Sequence, residues 1–148
     1  MARNNCTVGA AGVVTGTSAK TILQLIAATN VRLAIKRLAI SFRGIVNTDP
    51  PVLVELLRQT TAGTVTAATP VSRDGLGSET IQATASHTAT VEPTPGNILL
   101  RISVHPQTGA VIDFPPDGEL LIPGGGRVGV RVTTTTTQTA DVQLDFEE

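Results

Sequence analysis

The residue types best suited to chemistry are sparse in this chain of 148 residues: two His, one Cys and 12 Asp and Glu. A Cys–His nucleophile pair is not implied by spacing, because Cys6 lies far in sequence from His87 and His105; it reads as an unreactive thiol. His87 falls on the apolar side of a run formed by Ile81, Ala83, Ala85, Ala89 and Val91, the place of a satisfied, half-buried imidazole rather than a catalytic one. Asp113, Asp117 and Glu119 surround the turn Pro115-Pro116-Asp117-Gly118. Hard oxygen ligands of that kind would suit Ca²⁺, but the spacing matches no EF-hand loop and reads as a solvated turn. Gly124-Gly125-Gly126 has no following Gly-Lys-Ser/Thr and no helix start for a phosphate to sit on. Gly75-Leu76-Gly77-Ser78 lacks the spacing of a nucleophile elbow. The expectation is a protein that is not an enzyme, with no cofactor and no metal.

Binding classes are narrowed next. The chain has no Trp or Tyr, and its three Phe (Phe42, Phe114, Phe146) are scattered, so no stacking platform for single-stranded nucleic acid is present. The formal charge is -1, without the basic stripe that duplex binding needs. No apolar run approaches the roughly 20 residues of a membrane-spanning helix, and the Gly/Ala-diluted stretch from Val8 to Val14 reads as a flexible arm rather than a secretory signal. Neither nucleic acid nor membrane is an expected partner. Charge is nevertheless uneven along the chain. Residues 1–60 hold seven basic side chains (Arg3, Lys20, Arg32, Lys36, Arg37, Arg43, Arg58) against two acidic ones (Asp49, Glu55), and the remainder is acidic. Either the two halves neutralise each other across the sheets, the reading favoured here, or a basic arm docks on an acidic surface.

The elements that position these residues are strands. Ile98, Leu100, Ile102 and Val104 alternate strictly with Leu99, Arg101, Ser103 and His105. Val128, Val130 and Val132 alternate with Arg127, Gly129 and Arg131, and Ala140, Val142, Leu144 and Phe146 with Asp141, Gln143, Asp145 and Glu147. Each run buries one face and wets the other. In Val31–Arg43 the apolar face switches at Lys36-Arg37, as one extra residue at a bulge would produce. A helix is the rival there and over Val52–Leu57, and β-branched neighbours favour strand for both. Gly- and Pro-rich turns punctuate the chain at the short intervals of an antiparallel two-sheet sandwich, without the alternating helices of parallel α/β units. The length suits one domain: an arm over residues 1–20 and a sandwich over residues 21–148.

The stretch Gly118–Val132, with its strand, Gly turn and second alternating strand, followed by a Thr-rich loop and the last strand Asp141–Glu147, resembles the end of tumour-necrosis-factor-like jelly rolls. Leu57–Thr64, Glu92-Pro93-Thr94-Pro95-Gly96 and Pro123–Gly126 are similar to segments of capsid decoration (auxiliary or cement) proteins of tailed bacteriophages. The resemblance covers most of the chain from about Thr21 onward. It implies an all-β, antiparallel two-sheet jelly-roll sandwich with an extended N-terminal arm. It also implies a structural virion protein on the capsid exterior, a homotrimer that clamps neighbouring copies of the major capsid protein.

Such proteins carry no catalytic residue. With so few aromatics, a three-fold contact here would rely on aliphatic groups, for which Leu53, Leu57 and Leu99 are the candidates, and Arg3, Asn4, Asn5 and Lys20 are the candidate capsid-docking residues of the arm. The alternative is a receptor- or carbohydrate-binding jelly-roll head domain of a phage fibre, disfavoured because sugar faces stack on aromatics. A secreted ligand-like module is a third reading, weakened by the lack of disulfides. In the jelly-roll reading Arg131 and Asp141 lie in opposite sheets, whereas a direct C-terminal hairpin would pair them.

Overall fold

The structure, a computed structural model, describes residues 4–44, 46–75 and 79–148. Among these residues there is no helix, only strands, turns and connections. The strands are β1 (Asn5–Val14), β2 (Lys20–Ile26), β3 (Leu33–Arg43), β4 (Val52–Gln59), β5 (Thr64–Ala68), β6 (Val71–Ser72), β7 (Thr84–Val91), β8 (Pro95–Val104), β9 (Ala110–Asp113), β10 (Leu120–Ile122), β11 (Arg127–Thr133) and β12 (Thr139–Glu147). They form two antiparallel sheets. One runs β10-β3-β12-β1-β6, with β9 also paired to β3, and is called sheet A here; the other, sheet B, runs β5-β7-β2-β11-β4-β8.

Alternation decides what each sheet buries. Leu38, Ile40, Leu144 and Phe146 from sheet A meet Leu23, Leu25, Leu56 and Val130 from sheet B in one core, all fully buried or nearly so. Removing such apolar area from water is the main stabilising term of the fold.

Several expectations from the sequence are met. Val31–Arg43 and Val52–Leu57 contribute strands, β3 and β4, not helices. The face switch in β3 is a bulge: Asp145 pairs with Arg37 and Phe146 with Ile35, leaving Lys36 as the extra residue. Both halves of β3 therefore present their apolar side chains to the core. The last two strands lie in opposite sheets, since Arg131 pairs with Thr21 and Glu55 while Asp141 pairs with Ser41.

The N-terminal segment differs from expectation. Residues 5–14 are not an extended free arm but strand β1, hydrogen-bonded between β12 and β6. Cys6, Val8 and Val13 are buried in the core. One extra residue between Ala10 and Val13, where Gly12 takes φ 69°, keeps both halves facing inward. The segment looked loose in sequence because Gly and Ala dilute its apolar face. Strand β7 also departs in part: Thr88 has φ 53°, and beyond it Val91, assigned to the apolar side, is exposed.

Candidate functional site

The outward face of sheet B is unusual because much of it is hidden. By alternation Gln24 points away from the core that takes Leu23 and Leu25, yet Thr21, Gln24, Gln59 and Ser86 are all buried. Sheet order explains why. From β4 the chain must pass β11, β2 and β7 to reach β5, and from β7 it must pass β2, β11 and β4 to reach β8. Both connections cross the outward face side by side, tied by Thr60 N–H to Thr94 O (3.0 Å) and Thr94 N–H to Thr61 Oγ1 (2.8 Å). They approach so closely that a side chain at Gly63, which has φ 66°, would overlap the carbonyl of Val91 and the nitrogen of Pro93.

Beneath them the buried polar groups satisfy one another. Gln24 Nε2 donates to Gln59 Oε1 (2.6 Å) and to Thr61 O (3.1 Å), Gln59 Nε2 to Thr21 Oγ1 (2.9 Å), and Ser86 Oγ to Gln24 Oε1 (3.4 Å). The Glu92 carboxylate accepts the Thr21 N–H at 2.9 and 3.0 Å. Gly129 leaves the space that the Gln59 amide fills.

Next to this network, on the same face, Glu55 is held between two arginines. Arg131 donates to Oε2 from Nε (2.9 Å) and Nη2 (2.7 Å), and Arg101 Nε donates to Oε1 (2.9 Å). Burial pushes the Glu55 carboxyl pKa upward, but the hydrogen bonds and charge of Arg131 and Arg101 outweigh it and hold the group below the usual carboxylate range. Two cations share one anion, so the cluster keeps a surplus positive charge, carried mainly by the more exposed Arg101.

The outward face of sheet A is open. Gly9, Ala11, Ala39, Ser41, Asp141 and Gln143 line a shallow depression of about 370 Å³, and Val111 beside Ala39 is 60% exposed. Ion pairs border it: Arg43 with Asp141, Arg37 with Asp113 (2.7 Å), and Arg73 with Asp145 (3.1 Å). Lys36, extruded by its bulge, reaches Glu119 (2.8 Å) and Glu147 (3.1 Å). Lys36, Arg37 and Arg43, from residues 1–60, thus meet acidic groups of residues 61–148, as the favoured reading of the uneven charge anticipated, while Arg73–Asp145 lies within the second part.

The groups singled out for chemistry are engaged elsewhere. The Cys6 thiol is buried, and desolvation, with a smaller push from Glu148, raises its pKa to about 11, far from a reactive thiolate. His87 is half-buried with Nδ1 2.7 Å from the Thr88 hydroxyl, while His105 is exposed and its Nδ1 accepts the Gln107 N–H. Asp113 and Glu119 are paired with Arg37 and Lys36, and Glu119 accepts the Asp117 N–H. No group of three or more His, Cys, Asp or Glu among the described residues is arranged to hold a metal ion.

The interface candidates are separated by their burial. Leu57 is fully buried and offers no surface to another copy, which removes it from any trimer contact. Leu53 is half-buried on the outward face of sheet B, and Leu99 divides its surface between the core and solvent. Of the arm candidates, Arg3 lies outside the described residues. Asn4 is buried, exchanging two backbone hydrogen bonds with Glu148 and accepting one from Ser72 through Oδ1. Asn5 is exposed at the start of β1, and Lys20 opens β2 beyond the other end of that strand, so they do not form one docking site.

The sequence reading missed the Glu55 cluster. Its signal was a single carboxylate inside the apolar run Val52–Leu57, which a strand buries only when cations come to it. No family model matches the chain, and no curated protein or solved structure matches it.

Proposed function

We propose that the chain is a non-enzymatic structural subunit, a jelly-roll capsid decoration protein that works as a homotrimer on the exterior of a tailed-phage particle and clamps neighbouring major capsid subunits. The observation that carries the reading is the strand order. Leaving aside β5, β6 and β7, which arise between β4 and β8, one sheet runs β1-β12-β3 with β9 and β10 at its edge, and the other runs β2-β11-β4-β8. First and last strands are neighbours, and successive strands β1 to β4 alternate between the sheets, an order that supports the jelly-roll reading. The side chains support a scaffold role, since carboxylates are paired with cations and the thiol is enclosed.

With β1 built into sheet A, attachment rests on the body of the protein rather than on a free arm. Three copies in one trimer strengthen weak single contacts by effective concentration. Light scattering tests the assembly. The chain is 15.3 kDa, and a particle of three times that mass is expected, reduced to the single-chain mass by Leu53→Asp; a monomer at micromolar concentration overturns the trimer. Co-sedimentation with capsids prepared without the protein tests the partner, and failure to bind them overturns the decoration role.

A further inference from the structure

We propose that the free edge of β8 is a strand-capture site, which takes an extended segment of another protein carrying apolar residues at alternate positions and an acidic residue between them. The inference does not depend on the particle reading. It starts from the edges of the two sheets. Among the described residues β6 has two residues, β10 three, β9 four and β5 five, while β8 has 10 and pairs only with β4; two bulges interrupt its first half, and its regular stretch is Leu100–Val104. Short edges give an incoming strand little to pair with, and a long edge presents a row of unsatisfied N–H and C=O groups. Among the described residues no backbone group of Gly96–Val104 is bonded to a turn or connection. Those groups specify the occupant's form, because only another extended backbone satisfies them in register.

The side chains specify its sequence. Leu100 pairs with Leu56 and Ile102 with Val54, so both point inward, and both remain only half-buried at the border of the core. The flank continues into sheet A. Ile112, Phe114 and Leu120 of the β9–β10 region are also partly buried against the core, and Arg58 Nη2 spans the layers to Leu121 O (3.1 Å). An incoming strand along Leu100–Val104 therefore finds half-covered apolar surface on its inward side at Leu100 and Ile102. On the outward side lies Arg101, 57% exposed, sharing the single carboxylate of Glu55 with Arg131. The unbalanced positive charge calls for an acidic side chain directly opposite Arg101.

The test uses the full-length protein and the peptide acetyl-Thr-Val-Thr-Val-Glu-Val-Thr-Val-Thr-amide, with a control in which Lys replaces Glu. Binding is read by isothermal titration calorimetry and its place by amide hydrogen exchange. The Glu peptide should slow exchange in β8 and leave β5 unchanged, and the Lys peptide should bind about three-fold or more weaker, as opposed like charges across a ladder do. Arg101→Gln should abolish that discrimination while keeping the fold, since Arg131 alone still makes two hydrogen bonds to Glu55. The proposal is overturned by unchanged exchange in β8, by equal slowing in β5, or by discrimination that survives Arg101→Gln. Protection, without peptide, of the β8 amides that face away from β4 also overturns it, because a second copy would then occupy the edge.

Discussion

The two sheets follow the same alternation, apolar side chains inward and polar side chains outward, yet their outward faces have opposite fates. On sheet A the outward residues Gly9, Ala11, Ser41 and Gln143 stay exposed, with ion pairs at their border, and of the outward carboxylates Asp145 is buried against Arg73. On sheet B the outward residues Thr21, Gln24, Glu55, Gln59 and Ser86 are buried. The difference comes from connectivity, because among the described residues the connections that skip strands cross sheet B. Polar groups cut off from water cost free energy unless bonded, so sheet B needs a closed network where sheet A can rely on solvent. Mutations should therefore be costly on one face and mild on the other.

The largest effect belongs to Glu55. Replacing it with Gln removes the only carboxylate available to Arg131 and Arg101, and breaking a buried pair from one side costs about 3 kcal/mol or more. For a domain of this size that corresponds to a fall in Tm of roughly 6–12 °C, measurable by calorimetry. Arg101→Gln should cost much less, because Arg131 remains in place. Acid tests the same group. Glu55, Glu119 and Asp141 are held below their ordinary values of 4.5, 4.5 and 3.8. For Glu119 and Asp141 the leading cause is the hydrogen bond from Lys36 or Arg43; for Glu55 the two arginines overcome the opposing effect of burial. The unfolded chain takes up these protons first, so their stabilisation is complete above about pH 5 and is lost as the pH falls through 4.5 and below. Tm should decline over that range, and Glu55→Gln should flatten the decline. An equal slope in both proteins would assign acid sensitivity to sheet A instead.

The next effect is in the amide network. Gly129→Ala puts a methyl group where the Gln59 amide lies, and Gln59→Ala removes the donor to Thr21 Oγ1 and one of the two acceptors of Gln24 Nε2. Each should cost about 1–3 kcal/mol. Denaturant melts check this, and a double mutant that costs no more than either single change would show that both act on the same network.

What was legible in the sequence follows the same division. β11 and β12 could be read because their apolar faces are strict, and the Lys36 bulge because a change of phase is visible in a one-dimensional pattern; β8 alternates as strictly in sequence, but a bulge at Leu99 turns Ile98, paired with Leu57, to the outward face, where it is 39% exposed. β1 was not read as a strand, since Gly9, Ala10, Ala11 and Gly12 weaken its contrast and its partner β12 lies at the far end of the chain. The Glu55 cluster was equally hidden, with partners 46 and 76 residues away in sequence. Alternation places Leu57 on the outward face, opposite to Leu56, yet it is fully buried there. Period two says which face a residue occupies, but not whether a later connection will cover that face.

The mildest prediction concerns the sheet A face and is the sharpest test of the comparison. Arg43 and Asp141 form a close ion pair whose side chains retain 56% and 30% of their exposure, and the Asp141 carboxylate also accepts the Gly12 N–H at 2.9 Å. Water can replace the guanidinium when Arg43 is cut back to Ala, and the Gly12 contact keeps the carboxylate in position. The cost should be small at low salt and should shrink as salt is raised. Glu55→Gln, buried beside Arg131, should keep most of its cost in the same titration, because ions screen buried pairs poorly. Unfolding free energies of both variants across a salt series measure the contrast directly. If Arg43→Ala costs as much as Glu55→Gln and is equally indifferent to salt, the outward face of sheet A is sequestered from solvent in the native assembly, and the openness of that face is a property of the single chain only.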